Sequence, residues 1–437
     1  MTEAVRRIGT KRIALIGAAA LIGVALLVTL LSGAGSSPAS ASSGVSDAQK
    51  AQAKPKPKTR PILAVSNNWD GTVDLVDPRT FKRLKRVNVV PDRAEREREI
   101  QLNPVDLIFF IAIRNQIGEG HDQLADDAFT SPDGRKLYVS RPSFADVVAI
   151  DIKSGAIVWR VEVDGQRSDH MAISKNGKRL LVSASTANVV HVIDTAAGKI
   201  IDAFESGDSP HESNFSADGK LIYHSSIGLV YTPTDMGQFD TSKGDRFFEI
   251  VDAKTYDIIT RLDMGKVLDE AGYPDMSAAM RPMTLSPDER YLYFQVSFFH
   301  GFIEYDLKRK QVRRVVNLPI SQEAQDIPKE DYLLDSAHHG IAMNPKGNLL
   351  CVAGTMSDYA AIVNRKTGGS KVVQYPTGAK PYWSTESEDG RYCFVSISGA
   401  DRVSVVSFRK RKEVASFPVG DHPQRMRTGK VRRTSLR

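Results

Sequence analysis

Several histidines and carboxylates precede a recurring turn motif by four to six residues. His338 and His339 precede "NPKGNLLCVA", His211 precedes "SADGKLIYHS", and Asp169 and His170 precede "SKNGKRLLVS". Imidazole and carboxylate groups bind divalent ions, transfer protons and hydrogen-bond polar ligands. The sequence has no H-x-x-x-H or H-E-x-x-H pairing, no P-loop, and no correctly placed nucleophile elbow or dinucleotide glycine motif. Any such chemistry therefore depends on the fold bringing distant residues together.

The elements that must position these residues come from a repeat of about 42 residues. Copies of the turn motif begin at positions 131, 174, 216, 286, 344 and 387, and each joins a tight turn to an alternating β run. A second run usually ends in Asp or Asn, and two more runs follow. Four antiparallel strands at this period indicate a β-propeller.

A further copy, residues 62–89, lacks its inner strand, and that strand occurs at the far end of the chain. Residues 419–429 match residues 376–386 but lead into no further repeat. The sequence therefore predicts an all-β fold, a seven-bladed β-propeller of four-stranded blades, closed by a C-terminal strand that completes blade 1 and hides two sheet edges.

The segments "SPDGRKLYVS" and "HHGIAMNPKG" resemble the repeat of the YVTN-type (YncE-like) β-propeller family. The resemblance covers nearly all of residues 62–428 and is specific for the fold. It implies an extracytoplasmic propeller with relatives among lactonases, lyases and electron-transfer subunits. Function must be argued from the site, because one fold hosts many activities.

Blade topology places the insertions on one face, called the top. The extra segments 91–120, 226–245, 266–278 and 320–335 all fall in connections at this end. Each inner strand starts there, so the residue five before each turn motif should ring the upper mouth of the central channel. This ring consists of Asp126, Asp169, His211, Arg281, His339, Tyr382 and Gln424, with Asp127, His170, Glu212, His338, Trp383 and Arg425 as neighbours.

Three interpretations of the ring stay open. One is a hydrated channel whose polar residues bond each other and water. Another is a pocket for a small polar or anionic ligand. The third is a metal site for a divalent ion. The predicted ligand-binding residues are Asp126, Asp169, His170, His211, Arg281, His338, His339, Tyr382, Trp383 and Arg425, and the predicted metal ligands are His211, His339, His170 and Asp126.

The charge distribution argues against nucleic-acid binding. The formal net charge is +7, but residues 1–60 carry +7 and residues 422–437 carry +6, which leaves −6 for the rest. A nucleic-acid groove requires positive charge on the folded surface.

The N-terminal segment is typical of a membrane signal. Basic residues within 1–12 precede an apolar run at 13–31, which predicts a cytoplasmic segment followed by a transmembrane or signal helix. Ala39-Ser40-Ala41 fits a signal-peptidase site, so cleavage stays open. Residues 32–60 are expected to form a flexible linker, 61–428 the propeller and 429–437 a basic disordered tail. The propeller is then extracytoplasmic, either membrane-anchored or secreted.

The two cysteines, Cys351 and Cys393, fall one register apart in neighbouring repeats. They should point to opposite strand faces, and we therefore expect no disulfide. No C-x-x-C-H motif supports covalent haem.

The sequence favours a binding module that captures a small polar ligand or an envelope protein through its top face and channel mouth. The alternative is a metal-assisted lactonase- or lyase-like enzyme with its site at the same mouth. The only cofactor considered is a divalent metal, and the chain is expected to be monomeric.

Overall fold

The computed structural model describes residues 58–229, 242–332, 334 and 336–437. The predicted cytoplasmic segment 1–12, the helix at 13–31 and nearly all of the linker at 32–60 lie outside these residues. Among the described residues, no helix has the length and apolar composition needed to cross a bilayer.

The described residues form seven four-stranded antiparallel sheets, each of which is one blade of a propeller. This confirms the predicted seven-bladed architecture. Blade 1 contains β1 (Thr59–Asn67), β2 (Thr72–Val76), β3 (Arg83–Asn88) and, as its inner strand, β28 (Pro423–Arg432). Blade 2 contains β4 (Asp127–Thr130), β5 (Lys136–Arg141), β6 (Asp146–Asp151) and β7 (Ile157–Glu162). Blade 3 contains β8 (Ser168–Ile173), β9 (Arg179–Ala184), β10 (Val189–Asp194) and β11 (Lys199–Glu205).

The remaining four blades follow in chain order. Blade 4 contains β12 (Pro210–Phe215), β13 (Leu221–Ser226), β14 (Phe247–Asp252) and β15 (Ile258–Asp263). Blade 5 contains β16 (Met280–Leu285), β17 (Tyr291–Val296), β18 (Gly301–Asp306) and β19 (Gln311–Asn317). Blade 6 contains β20 (Gly340–Met343), β21 (Leu349–Gly354), β22 (Tyr359–Asn364) and β23 (Ser370–Gln374). Blade 7 contains β24 (Pro381–Glu386), β25 (Tyr392–Ile397), β26 (Arg402–Ser407) and β27 (Lys412–Pro418).

The recurring turn motif folds as its residue types dictate. In blade 2 the Ser131 hydroxyl donates to Asp133 at 2.7 Å and accepts the backbone N–H of Lys136 at 2.9 Å. Gly134 closes the turn at a φ of 67°, where an added Cβ would meet the backbone of Arg432. Hydrophobic side chains of neighbouring blades pack between the sheets, so the core is divided among the blade interfaces.

The C-terminal strand lies against the first strand of the propeller. β28 pairs with β1 in antiparallel register, with Val65 opposite Met426 and Thr59 opposite Arg432. Both boundary predictions at this seam were wrong. Thr59 and Arg60, which we assigned to the linker, belong to β1. Residues 429–437, which we expected to be disordered, continue β28 and then form a 3-10 turn over Arg433–Leu436, because β1 offers backbone partners as far as Thr59.

The top-face insertions contain the helices of the described residues. α1 (Arg93–Leu102) and α2 (Pro104–Gln116) link blades 1 and 2, α3 (Met264–Glu270) links blades 4 and 5, and α4 (Gln322–Asp326) links blades 5 and 6. Asn103 caps α2 by accepting the backbone N–H of Val105, and Pro104 follows at the first helical position. Residues 230–241 of the insertion in blade 4 lie outside the described residues.

The prediction of unbridged cysteines was wrong. Cys351 of β21 and Cys393 of β25 form a disulfide, with their Cα atoms 6.4 Å apart. The two side chains do point to opposite faces of their own blades. Adjacent blades pack face to face, however, so opposite faces are the ones that meet at the interface between blades 6 and 7. The bond therefore links two blades through their shared core cluster.

Candidate functional site

Irregular pairing at the top of the inner strands positions the channel-mouth residues. In blades 3, 4, 5 and 7 the innermost strand pairs irregularly with the next strand, and the pairing register shifts near the top of the innermost strand. In blade 3 this shift lies between Ser168 and Met171. The β1–β28 pair shifts at the corresponding place. A bulge re-aims side chains that would otherwise alternate between faces. Consecutive residues such as Asp169 and His170 can therefore both approach the axis.

A small cavity of about 20 Å³ lies at the upper mouth of the channel. All seven residues of the predicted ring line it: Asp126, Asp169, His211, Arg281, His339, Tyr382 and Gln424. Ile117, Ile227 and Leu334, which come from top-face connections, line it as well. The volume holds one water-sized molecule or one ion, so a larger ligand would have to reach that ion from outside the cavity.

Two histidines and one aspartate form the tightest group beside this cavity. Asp169, His170 and His211 each offer a ligand atom, and these atoms all lie within 4.8 Å of one another. The rings of His170 and His211 are 3.9 Å apart between centroids, and His339 lies 5.8 Å from His211 and 6.4 Å from His170. The two rings belong to adjacent blades, which explains why no local sequence spacing signals the group.

The polar atoms of this group are buried and mostly unpaired. His170 and His339 are each 1 % exposed. Within the described chain, both ring nitrogens of His170, the Nδ1 atoms of His211 and His339, and Oδ1 of Asp169 have no hydrogen-bond partner. Unpaired buried polar atoms are costly, so a water molecule, an ion or a polar ligand would stabilise this cluster.

Burial also fixes the protonation state of these rings. Removal from water lowers the pKa of His170, His211 and His339 well below the ordinary 6.5, and the positive charge of Arg425 lowers each further. The three imidazoles are therefore neutral at pH 7. Neutral imidazole is the form that binds metal ions.

Arginine side chains form ion pairs with the two carboxylates of the mouth, Asp126 and Asp169. Arg425 forms an ion pair with Asp126 and lies 3.9 Å from Oδ1 of Asp169, and Arg167 lies 2.7 Å from Oδ2 of Asp169. Burial nevertheless raises the pKa of Asp126 to about 7. Asp126 is the ion-pair partner of Arg425. We predicted Asp126 as a metal ligand, but Asp169 is the carboxylate grouped with His170 and His211. Arg167 was missed because it stands two residues before the ring position.

Two further ring residues frame the mouth. The guanidinium of Arg281 donates to the Ser297 hydroxyl, with Nε at 3.1 Å and Nη2 at 3.0 Å. The Tyr382 ring stacks on His339 at a centroid distance of 4.1 Å. Burial raises the pKa of Tyr382, so its hydroxyl stays protonated. Both residues lie where the sequence predicts them.

Trp383 lies below the mouth. Arg425 and Arg427 approach its ring at 5.3 and 5.1 Å from the centroid. Trp383 lines a second, lower cavity of about 210 Å³ together with Glu212, Glu386 and Arg427. It was predicted as a ligand-binding residue of the mouth, but it lines this lower cavity and not the mouth cavity.

His338 does not reach the channel mouth, and its assignment to the ligand-binding set was wrong. Its Nε2 lies 3.1 Å from the Tyr359 hydroxyl, and its ring meets those of Tyr359 and His300 edge-on. The inner strand of blade 6 pairs without a bulge, so the usual alternation of side chains holds. His339 therefore faces the axis, and His338 faces the body of the blade.

Comparisons with known proteins agree with this architecture. No protein-family model matches the chain. A curated relative, the uncharacterized protein YncE of Salmonella typhi, is 25 % identical over 166 residues, which cover 37 % of this chain and 38 % of the relative. The resemblance to the YVTN-type (YncE-like) propellers is confirmed. The match to this chain spans well under half the length of YncE.

A solved structure shares the fold of this chain. Kuenenia stuttgartiensis hydrazine synthase superposes with a TM-score of 0.51 at 16 % identity, covering 68 % of this chain and 87 % of the matched chain. At 16 % identity the likeness shows a shared fold alone. Any function of this chain must therefore be inferred from its own residues at the channel mouth.

Proposed function

We propose that this protein is an extracytoplasmic propeller that binds a divalent metal ion at its channel mouth and presents that ion to a small polar ligand. Asp169, His170 and His211 would hold the ion, and His339 stands beside them. The observation that carries the proposal is the grouping of Asp169, His170 and His211, with unpaired buried atoms, beside a cavity of about 20 Å³ that Asp169 and His211 line.

The chemistry of the ligand atoms indicates the kind of ion. Two imidazole nitrogens and one carboxylate oxygen suit zinc or a similar transition metal, whereas calcium and magnesium prefer oxygen ligands alone. Three protein ligands leave a coordination position for a ligand from solution. Because the imidazoles are already neutral, we expect the affinity to change little between pH 8 and pH 6.

The extracytoplasmic part of the proposal is supported by the disulfide. Bonds such as Cys351–Cys393 persist in oxidising compartments outside the cytosol. We also propose that residues 13–31 form the transmembrane or signal helix and that β28, which pairs with β1, closes the ring in solution.

Calorimetric titration of the metal-stripped full chain with zinc tests the binding site. We expect one equivalent to bind, and we expect His211→Gln to weaken binding at least about tenfold because one of three ligands is lost. His338→Gln is the matched control, since His338 is equally buried and adjacent to His339 but faces away from the mouth. Equal binding by wild type and both variants would place the ion elsewhere.

A second candidate is the metal-assisted lactonase- or lyase-like enzyme, and one observation favours it. Asp126, whose pKa burial raises to about 7, lines the same cavity as the metal-binding group. A carboxyl group with this pKa can take up or release a proton at neutral pH. If the protein opens a lactone by hydrolysis, Asp126→Asn should abolish turnover while the bound zinc is retained. Retained turnover would exclude Asp126 as the acid or base.

A further inference from the structure

An arginine-lined pocket lies on the bottom face, at the end of the propeller opposite the histidines. It has a volume of about 420 Å³ and is lined by Arg60, Asp77, Arg79 and Arg433, with Pro61, Pro78 and Leu436 as apolar walls. The residues come from β1, the turn after β2 and the 3-10 turn that follows β28. The pocket therefore exists only because the last residues of the chain are ordered.

Positive charge dominates this part of the surface. Asp77 is the one carboxylate side chain among the lining residues, and Arg60 forms an ion pair with it. Arg79 and Arg433 are exposed and form no ion pair within the described part of the chain. The same holds for three neighbouring residues, Lys58, Lys82 and Arg437. We call these five residues the bottom basic patch.

The described part of the chain begins at this same place, at Lys58. The backbone N–H of Arg433 donates to the carbonyl of Lys58 at 3.1 Å, so the C-terminal turn lies directly beside the first described residue. Residues 32–57 connect this point to the apolar run at 13–31 and reach at most about 90 Å when extended. A membrane tether supplied by this run would therefore be attached beside the patch.

We infer that the bottom basic patch docks the propeller on an anionic lipid surface, with phospholipid headgroup phosphates in the arginine pocket. Arginine binds phosphate oxygens through paired N–H donors, and basic side chains at an anionic membrane surface contribute roughly equally and additively. Leu436, which is half-buried against the core, forms an apolar wall of the same pocket. This docking turns the channel mouth away from the membrane, and it is independent of whether the mouth binds metal.

Hydrogen exchange of the full chain in lipid nanodiscs tests the inference. Discs of phosphatidylcholine alone are compared with discs that also contain phosphatidylglycerol. In the anionic discs, amides in residues 77–83 and 430–437 should exchange at least about fivefold more slowly, and high salt should reverse the effect. Equal exchange in both kinds of disc would overturn the inference.

Charge variants and a soluble anion supply the controls. The double variant Arg79→Gln/Arg433→Gln should lose the lipid-dependent protection and keep the wild-type melting temperature, since both side chains are exposed. Arg98→Gln, an exposed arginine of α1 on the top face, should behave as wild type. If inorganic phosphate protects the same amides in neutral discs as fully as anionic lipid does, the pocket is a soluble-phosphate site and membrane docking is wrong.

Discussion

The ring of His211 packs against that of His170 at 3.9 Å between centroids, although the two residues start different blades. This contact exists because the inner strands of blades 3 and 4 are both irregular at the same height. The candidate site therefore depends on the packing of adjacent blades and on local bulges together. Substitutions at the mouth, at a buried carboxylate, at the disulfide and in the last strand test separate features of this arrangement.

Substitution of Arg425 separates a metal site from an anion site. Arg425 lies 3.9 Å from Oδ1 of Asp169, so its charge opposes a cation there and would favour an anion. In calorimetric titrations, Arg425→Gln should bind zinc several-fold more tightly than wild type. Arg427→Gln should change zinc affinity less than Arg425→Gln does, because Arg427 pairs with Asp127 and does not line the mouth cavity. Weaker zinc binding by Arg425→Gln would contradict the metal assignment.

Glu212 should make stability fall as pH rises through the weakly acidic range. Burial raises its pKa from 4.5 to about 7. Below pH 4.5 the carboxyl is protonated in both folded and unfolded chains, whereas between pH 4.5 and 7 only the unfolded chain ionises, which favours unfolding. The cost reaches about 3 kcal/mol above pH 7.

Glu212→Gln removes this pH-dependent contribution, because the amide cannot ionise. In denaturant unfolding series from pH 4.5 to 8, the stability of the variant relative to wild type should improve by about 3 kcal/mol. Glu205→Gln, an exposed glutamate on β11, should show no such trend. A constant difference across the series would show that Glu212 is ionised in the folded protein.

The Cys351–Cys393 bond should contribute measurably to stability. It closes a loop of 42 residues between blades 6 and 7. A loop of this length corresponds to about 4 kcal/mol in the chain-entropy description. Cys351→Ser/Cys393→Ser should lose that amount of unfolding free energy, and wild type in reductant should match the variant. A change below about 1 kcal/mol would mean that the blade interface is already held by its packing.

Met426 tests whether β28 closes the ring in solution. Its side chain is fully buried among Leu63, Val65 and residues of blade 7. Met426→Ala should cost about 2–5 kcal/mol of unfolding free energy. Met276→Ala, in the partly buried link before β16, should cost clearly less. A cost near zero for Met426→Ala would indicate that the last strand is not docked in solution.

Much of the fold could be predicted from the sequence because the repeat encodes it locally. Turn residues such as Asp133 and Gly134, and the alternating runs after them, fix both the strands and the period. The ring of residues five positions before each turn also followed from this spacing. All seven members line one cavity.

The wrong predictions, for His338 and for the two cysteines, depended on geometry that the repeat does not encode. A regular inner strand sends His338 away from the axis, and a bulged strand brings His170 toward it, yet no residue pattern marks the bulge. The cysteine prediction considered strand faces within one blade and neglected the facing blade. Asp169 rather than Asp126 joins the histidines, although both carboxylates have arginine partners.

The most direct test of the central claim is the metal content of the full chain, measured by mass spectrometry of the element after purification without added metal or chelator. We predict about one equivalent of a divalent transition metal in wild type and in His338→Gln, and a stoichiometry near zero in His211→Gln. Metal-free wild-type protein that also fails to take up zinc on dialysis would contradict the account.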